Sequence, residues 1–234
     1  MAFKSRPIAV QNHAKRRTVV WLSAVLFGVF WILLSSESPL AAETSAKAPS
    51  NQDDAQMAER YASAIFAGGC FWCIEADFEK LDAVISAVSG YSGGFTENPS
   101  YRDVTNGGTG HLEVVKVYYD PNKVSYRQLV DFFLRHVDPL DDGGQFCDRG
   151  PSYKTAIFAQ TADERAAALA AVDEAQNVLG QKVVTPVRDR VKFWRAEAYH
   201  QDYYKKNALK YKLYRRGCGR DRRVRKLWGN QAST

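Results

Sequence analysis

The spacing of apolar positions changes along the chain, and each change predicts an element. A short apolar run ending at Ile65-Phe66-Ala67 predicts a buried strand over residues 61–67, with Gly68-Gly69 as a tight turn after it. From Cys70 the period lengthens, and Ile74, Phe78 and Leu81 fall on one face of a helix. Residues 84–91 read as a second strand, 92–110 as a long polar loop, and 111–119 as a third strand stopped by Asp120-Pro121. Ser125 and Gln128 form a capping box for a helix with the stripe Leu129, Val130, Phe133 and Val137, ended by Asp138-Pro139. A glycine-bearing loop over 140–151 leads to a strand over 153–159. Thr161 and Glu164 then cap an alanine-rich helix that stops at Gly180. Short strands over 183–187 and 191–194 and a tyrosine-bearing helix over 196–216 follow, closed by Gly217-Cys218-Gly219. From residue 61 to 159 the order is strand, helix, strand, strand, helix, strand. It predicts an α+β fold: a ferredoxin-like two-layer α/β sandwich with a split βαβ core and a C-terminal helical extension.

The first 42 residues follow a different pattern. Lys4, Arg6, Lys15, Arg16 and Arg17 precede an uncharged apolar stretch over 19–34, and Pro39-Leu40-Ala41-Ala42 follows it, the order of a secretory signal. Cleavage after Ala42 is the first expectation. The stretch is also at the short edge of what spans a bilayer, so an uncleaved N-terminal anchor is the second, and the only expected contact with a membrane. Either way the chain is exported, to the periplasm or to a membrane facing it. Residues 43–60 lack an apolar period and read as a linker, 61–216 as the catalytic domain, and 217–234 as a basic C-terminal tail.

Charge sharpens this division. The whole chain carries +6, and removing residues 1–42, with five basic side chains and Glu37, leaves +2. Within that remainder, Arg215, Arg216, Arg220, Arg222, Arg223, Arg225 and Lys226 against Asp221 place +6 in twelve residues. The cluster is read as a solvated tail, with no nucleic acid as partner.

All four cysteines lie beyond residue 42. An even number in an exported chain points to structural disulfides, and four cysteines allow three pairings. Cys70-Phe71-Trp72-Cys73 also has the spacing of a redox pair, and Cys70 begins a helix, where free N–H groups and the helix dipole lower a thiol pKa. A zinc site would need Cys147 and Cys218 brought in by long-range folding, and no metal is expected. Glu113 alternates with Val115, Val117 and Tyr119 on the apolar face of its strand, so desolvation should raise its pKa and keep it protonated, as a general acid requires.

Several linked motifs carry a family resemblance. They are Gly69-Cys70-Phe71-Trp72, Gly90-Tyr91-Ser92-Gly93-Gly94, Asn98-Pro99-Ser100-Tyr101, Thr109-Gly110-His111-Leu112-Glu113, His136-Val137-Asp138-Pro139, Asp148-Arg149-Gly150-Pro151-Ser152-Tyr153 and Ala198-Tyr199-His200-Gln201-Asp202-Tyr203. In this order, over about residues 62 to 204, the chain resembles peptide methionine sulfoxide reductase A. The resemblance implies that Cys70 attacks the sulfur of methionine S-sulfoxide, that Glu113 protonates the oxygen, and that Tyr101 and Tyr153 donate hydrogen bonds to it. It further implies that Asp148 is an active-site carboxylate, that Phe71 and Trp72 wall the methyl group, and that Cys70 is left as a sulfenic acid. No bound cofactor is implied. A thioredoxin-like thiol supplies the electrons, and oxidised proteins or free methionine sulfoxide are the substrates of an expected monomer.

The chain departs from the family pattern at Cys73, at Cys147 and in its tail, where the Asn-Pro-x-Gly-Tyr-Cys segment is absent. Three cysteines are therefore candidates to resolve the sulfenic acid. Cys73 comes first, being within disulfide reach of Cys70 at i and i+3, with Cys147 and Cys218 then structural. In the second scheme Cys147 attacks and passes the disulfide to Cys218. The remaining tyrosines, Tyr214 among them, and His200 are read as packing or structural. The competing enzyme class is an exported thiol–disulfide oxidoreductase using Cys70 and Cys73, and a non-enzymatic competitor is a membrane-associated binding module using the basic tail.

Overall fold

The computed structural model describes residues 51–233, and the signal or anchor and the first part of the linker lie outside them. Helix α1 (Asn51–Arg60) precedes strand β1 (Ala62–Gly68), helix α2 (Phe71–Phe78), strand β2 (Val84–Ser92), helix α3 (Tyr101–Asn106), strand β3 (Leu112–Tyr119) and helix α4 (Tyr126–Leu134). A two-residue hairpin, β4 (Gly144–Gln145) and β5 (Asp148–Arg149), leads to β6 (Thr155–Ala159), α5 (Ala162–Leu179), β7 (Val187–Asp189) and β8 (Trp194–Arg195). Three helices close the chain: α6 (Tyr203–Lys206), α7 (Ala208–Cys218) and α8 (Arg220–Trp228).

The main sheet has the order β7-β6-β1-β3-β2-β8. Its four inner strands pair antiparallel, and only β6 with β7 is parallel. That is the split βαβ arrangement the element order predicts. Strand alternation divides the core. Phe66, Val115, Val117 and Ile157 face the helices together with Phe78, Leu129, Phe133 and Ala168, while Ile65, Leu112, Val114 and Phe158 form a smaller cluster on the opposite face.

Besides the strands expected over 183–187 and 191–194, which are instead Val187–Asp189 and Trp194–Arg195, the structure corrects the sequence reading of the elements in four places. Residues 51–60 are helix rather than linker, fastened where Tyr118 Oη donates to the carbonyl of Asp54 and Arg195 pairs with its carboxylate at 3.0 Å. The loop over 92–110 contains α3, started by a capping box between Ser100 and Asp103. The single helix expected over 196–216 is two, α6 and α7, broken at Asn207.

The fourth correction is the largest. Residues 217–233 are no solvated tail, because Arg220, Val224 and Trp228 are buried at i, i+4 spacing along α8 and Ala232 beyond it is buried as well. Arg220 is 1% exposed, donates from Nη2 to the carbonyls of Gly68 and His136, and covers the ring of Phe146. Asp77 accepts from Arg215 at 3.0 Å, and Arg223 donates to Asp138 at 2.6 Å. Buried acids therefore pair with part of the charge that the sequence places in solvent. Among the described residues no helix is long and apolar enough to cross a membrane.

Candidate active site

Cys70 is the N-cap of α2, at the end of the turn that leaves β1. The turn requires glycine: Gly69 has φ +78°, and a Cβ there would lie 2.4 Å from Cβ of Gln145. Gln145 is fully buried and holds the 138–145 loop closed, accepting from Asp138 N–H and donating to the Asp138 carbonyl, both at 2.8 Å. The turn after β1 and the 138–145 loop packed on it through Gln145 thus fix the position of the thiol.

The first free N–H of α2 serves the acid, not the thiol. Phe71 N–H donates to Glu113 Oε2 at 3.0 Å, while the Cys70 side chain makes no capping bond. Glu113 is paired across the sheet with Tyr91 and is 2% exposed. Burial, together with the nearby Asp148 and Cys73, raises its carboxyl to about 8, against the opposing pull of Phe71 N–H. A carboxylic acid that keeps its proton at neutral pH beside a thiol is equipped to give it away.

For Cys70 the structure reverses the expected direction. Burial, the hydrogen bond with Cys73 and the charges of Cys73 and Glu113 push its thiol up. Cys73 is 2% exposed and moves down, held there by the hydrogen bond from Cys70 and by the Arg220 and Arg215 guanidinium groups. The hydrogen bond within the pair runs from Cys70 to Cys73.

The other predicted residues converge on this centre. Tyr101 opens α3, and its N–H is held by Glu197 Oε1 at 2.8 Å. Its hydroxyl is hydrogen-bonded to that of Tyr153, and burial followed by the Glu113 charge raises both phenols. Asp148 lies half-buried on β5, its carboxyl raised by burial. Phe71 and Trp72 lie 6.4 Å apart by ring centroids, and Trp72 stacks on Tyr203 at 3.7 Å. Trp72 Nε1 also donates to His200 Nδ1 at 3.0 Å. Cys147 and Cys218 do not join the centre but form a disulfide with each other.

Three residues outside the predicted set contribute. Tyr214 Oη donates to Asp148 Oδ2 at 2.5 Å and lies beside the Cys70 sulfur. Sequence reading set it aside among the packing tyrosines. The available signal was its place four residues before Cys218, since a Cys147–Cys218 bond necessarily brings Tyr214 beside Asp148. Glu197 ties Tyr91 Oη at 2.8 Å to Tyr101 N–H at 2.8 Å, joining the sheet to α3. His200, lowered by burial to about 4, is a neutral acceptor for Trp72. Among the described residues two groups have metal-ligand spacing, but the Cys147 and Cys218 sulfurs bond each other, and Glu75, Glu79 and Asp202 are taken up by Ser89, Tyr204 and Lys205.

Comparison with known proteins agrees with this geometry. Residues 62–232 match the sequence model of the family described as peptide methionine sulfoxide reductase. The chain is 52% identical over 169 residues to peptide methionine sulfoxide reductase MsrA 2 of Rhizobium meliloti, covering 72% of this chain and 84% of that protein. It is 46% identical over 175 residues to MsrA 2 of Caulobacter vibrioides, covering 75% and 89%. Among solved structures, reduced Mxr1 of Saccharomyces cerevisiae superposes with a TM-score of 0.60 at 32% identity, covering 63% of this chain and 86% of that one. Methionine sulfoxide reductase A of Corynebacterium diphtheriae also gives 0.60, at 29% identity, covering 63% and 75%. The matched region includes α7 and α8, so the C-terminal helices belong to the same domain as the buried thiols and Glu113. The chain is a member of the peptide methionine sulfoxide reductase A family, an oxidoreductase that reduces methionine sulfoxide in protein repair and takes its electrons from a thiol reductant of the thioredoxin type.

Proposed function

We propose that the chain reduces the S epimer of methionine sulfoxide through a sulfenic acid on Cys70, resolved by Cys73. The observation that carries this is the buried Glu113 carboxyl on Phe71 N–H, one residue from the thiol and raised to about 8. Phe71 and Trp72 take the methyl group, and the paired hydroxyls of Tyr101 and Tyr153 receive the sulfoxide oxygen. As Cys70 passes its proton to the Cys73 sulfur it is hydrogen-bonded to and attacks the sulfoxide sulfur, Glu113 delivers a proton to the oxygen. Methionine leaves, and the oxygen remains on Cys70 as S–OH. Cys73, whose thiol is held down by Cys70 and the two arginines, then attacks the Cys70 sulfur, forming the disulfide and releasing water. A thioredoxin-like dithiol returns both cysteines to the reduced state.

Cys147–Cys218 is structural in this scheme. The N-terminal segment supports export to the periplasm, the chain acting there as a monomer on oxidised envelope proteins or free methionine sulfoxide.

Turnover of the two epimers of a dabsylated methionine sulfoxide, with dithiothreitol, tests the chemistry. Activity on the S epimer alone, lost in Cys70→Ser and reduced at least about 100-fold in Glu113→Gln, is the expected result. Retained activity in Cys70→Ser sinks the scheme. For export, N-terminal sequencing of the chain from an envelope fraction should begin at Glu43, and a chain found only in the cytoplasm refutes that part.

A further inference from the structure

Resolution of the sulfenic acid needs a proton that Glu113 has already spent. When Cys73 attacks Cys70–S–OH, the oxygen departs as water only if it receives one proton as the S–O bond breaks. Besides Glu113, the proton-carrying groups at Cys70 are Tyr214 and, bonded to it, Asp148. Tyr214 Oη touches Cys70 and lies 2.5 Å from Asp148 Oδ2, and its ring meets Trp72 edge-on at 5.9 Å.

We propose that Asp148 and Tyr214 form a proton relay dedicated to the second step, with Tyr214 as the group that protonates the oxygen leaving Cys70. This rests on the sulfenic acid and Cys73 scheme above. The balance is closed. Cys73 thiolate bonds to the Cys70 sulfur, the S–O electron pair leaves with oxygen, and Tyr214 supplies the proton that completes water. In the protonated form of Asp148 the same Oδ2–Oη contact runs from the acid to the phenol, so Tyr214 recovers its proton along it, and the Asp148 carboxylate is reprotonated from solvent, which it reaches because it is only half-buried. The sulfenic sulfur is reduced and Cys73 is oxidised, each to the disulfide level.

The fold holds both members by the same clamp. Cys147 precedes Asp148 on the hairpin, Cys218 lies four residues after Tyr214 on α7, and the disulfide joins them. The groups facing Asp148 are Tyr214, Arg220, Glu113 and Tyr153, and those facing Tyr214 are Cys70, Cys73 and Asp148. Burial raises Asp148, which favours its holding the proton to be relayed.

A rapid-quench single turnover without reductant separates the two steps, reading methionine release against loss of two titratable thiols. In Tyr214→Phe, disulfide formation should slow at least about tenfold more than methionine release does, and dimedone traps the accumulated sulfenic acid. The wild-type disulfide step should slow as pH rises and Asp148 ionises, and this dependence should flatten in Tyr214→Phe and in Asp148→Asn. A structural tyrosine would not produce that flattening. Equal slowing of both steps, or an unchanged disulfide step, overturns the relay. Should Tyr214→Phe fail to fold, the same comparison in Asp148→Asn decides. If Cys73→Ser accumulates no sulfenic acid, the parent scheme fails and the relay with it. If it does accumulate and Tyr214→Phe resolves normally, only the relay falls.

Discussion

At Glu113, catalysis and stability pull against each other. An unfolded glutamate titrates near 4.5, whereas the buried carboxyl titrates near 8. Below the lower value both states hold the proton, so the site costs nothing through ionisation. Between the two, the unfolded chain gives up its proton and the native chain does not, so native stability falls as pH rises, by a few kcal/mol on the order of the shift. Glu113→Gln should therefore lose activity yet gain resistance to urea, with a margin over wild type that grows from pH 5 to pH 8. A margin equal at both pH values would show that Glu113 is ionised throughout. Alternation along β3 made this residue legible, because a carboxyl in phase with Val115, Val117 and Tyr119 has to meet the core. The direction of the Cys70 shift was not legible. Helix-start reasoning assigns the free N–H to the thiol, and only the three-dimensional approach of β3 to α2 gives that N–H to Glu113.

Elements with a clean period were read correctly from the chain: β1, β2, β3 and α5 lie within a residue or two of their predicted limits, and α4 starts where its capping box predicts but ends at Leu134, three residues early. Elements fixed by caps or by tertiary partners were missed. α3 has six residues and a single buried apolar side chain, Val104, so its signal was the Ser100–Asp103 box alone. α8 hides its stripe because the first member is Arg220, a residue type almost never fully buried without partners. The hairpin of β4 and β5 is shorter still and owes its place to Gln145 inside and to the disulfide outside. Closing a loop with a sequence separation of 71 residues stabilises the folded state by about 2–4 kcal/mol. The double variant Cys147→Ser/Cys218→Ser should lower the unfolding free energy by that amount in a urea titration while dithiothreitol-driven turnover persists. Complete loss of turnover in a folded double variant would instead make this pair the obligatory relay.

For the whole molecule the C-terminal helices decide what counts as the domain. A chain read as catalytic domain plus basic tail predicts that removing the last residues leaves sulfoxide chemistry intact. The observed packing predicts the reverse. Val224, Trp228 and Ala232 complete the helix-side core, Arg220 holds the carbonyl of Gly68 two residues before Cys70, and α7 brings Tyr214 to the thiol. Trp228→Ala should cost about 3–5 kcal/mol by opening a cavity in that core. Deleting residues 217–234 removes this side chain together with Arg220 and the Cys218 half of the disulfide, so it should leave a chain with a broadened or absent thermal transition and no measurable reductase activity. Both are read on one preparation, by calorimetry and by dabsyl-sulfoxide turnover. A truncated chain that melts cooperatively at the wild-type temperature and turns over normally would return residues 217–234 to the status of a tail. The two variants together also separate stability from chemistry. Trp228→Ala touches only the core, so in a buffer cool enough to keep it folded its turnover should match wild type, whereas the truncated chain should stay inactive at every temperature.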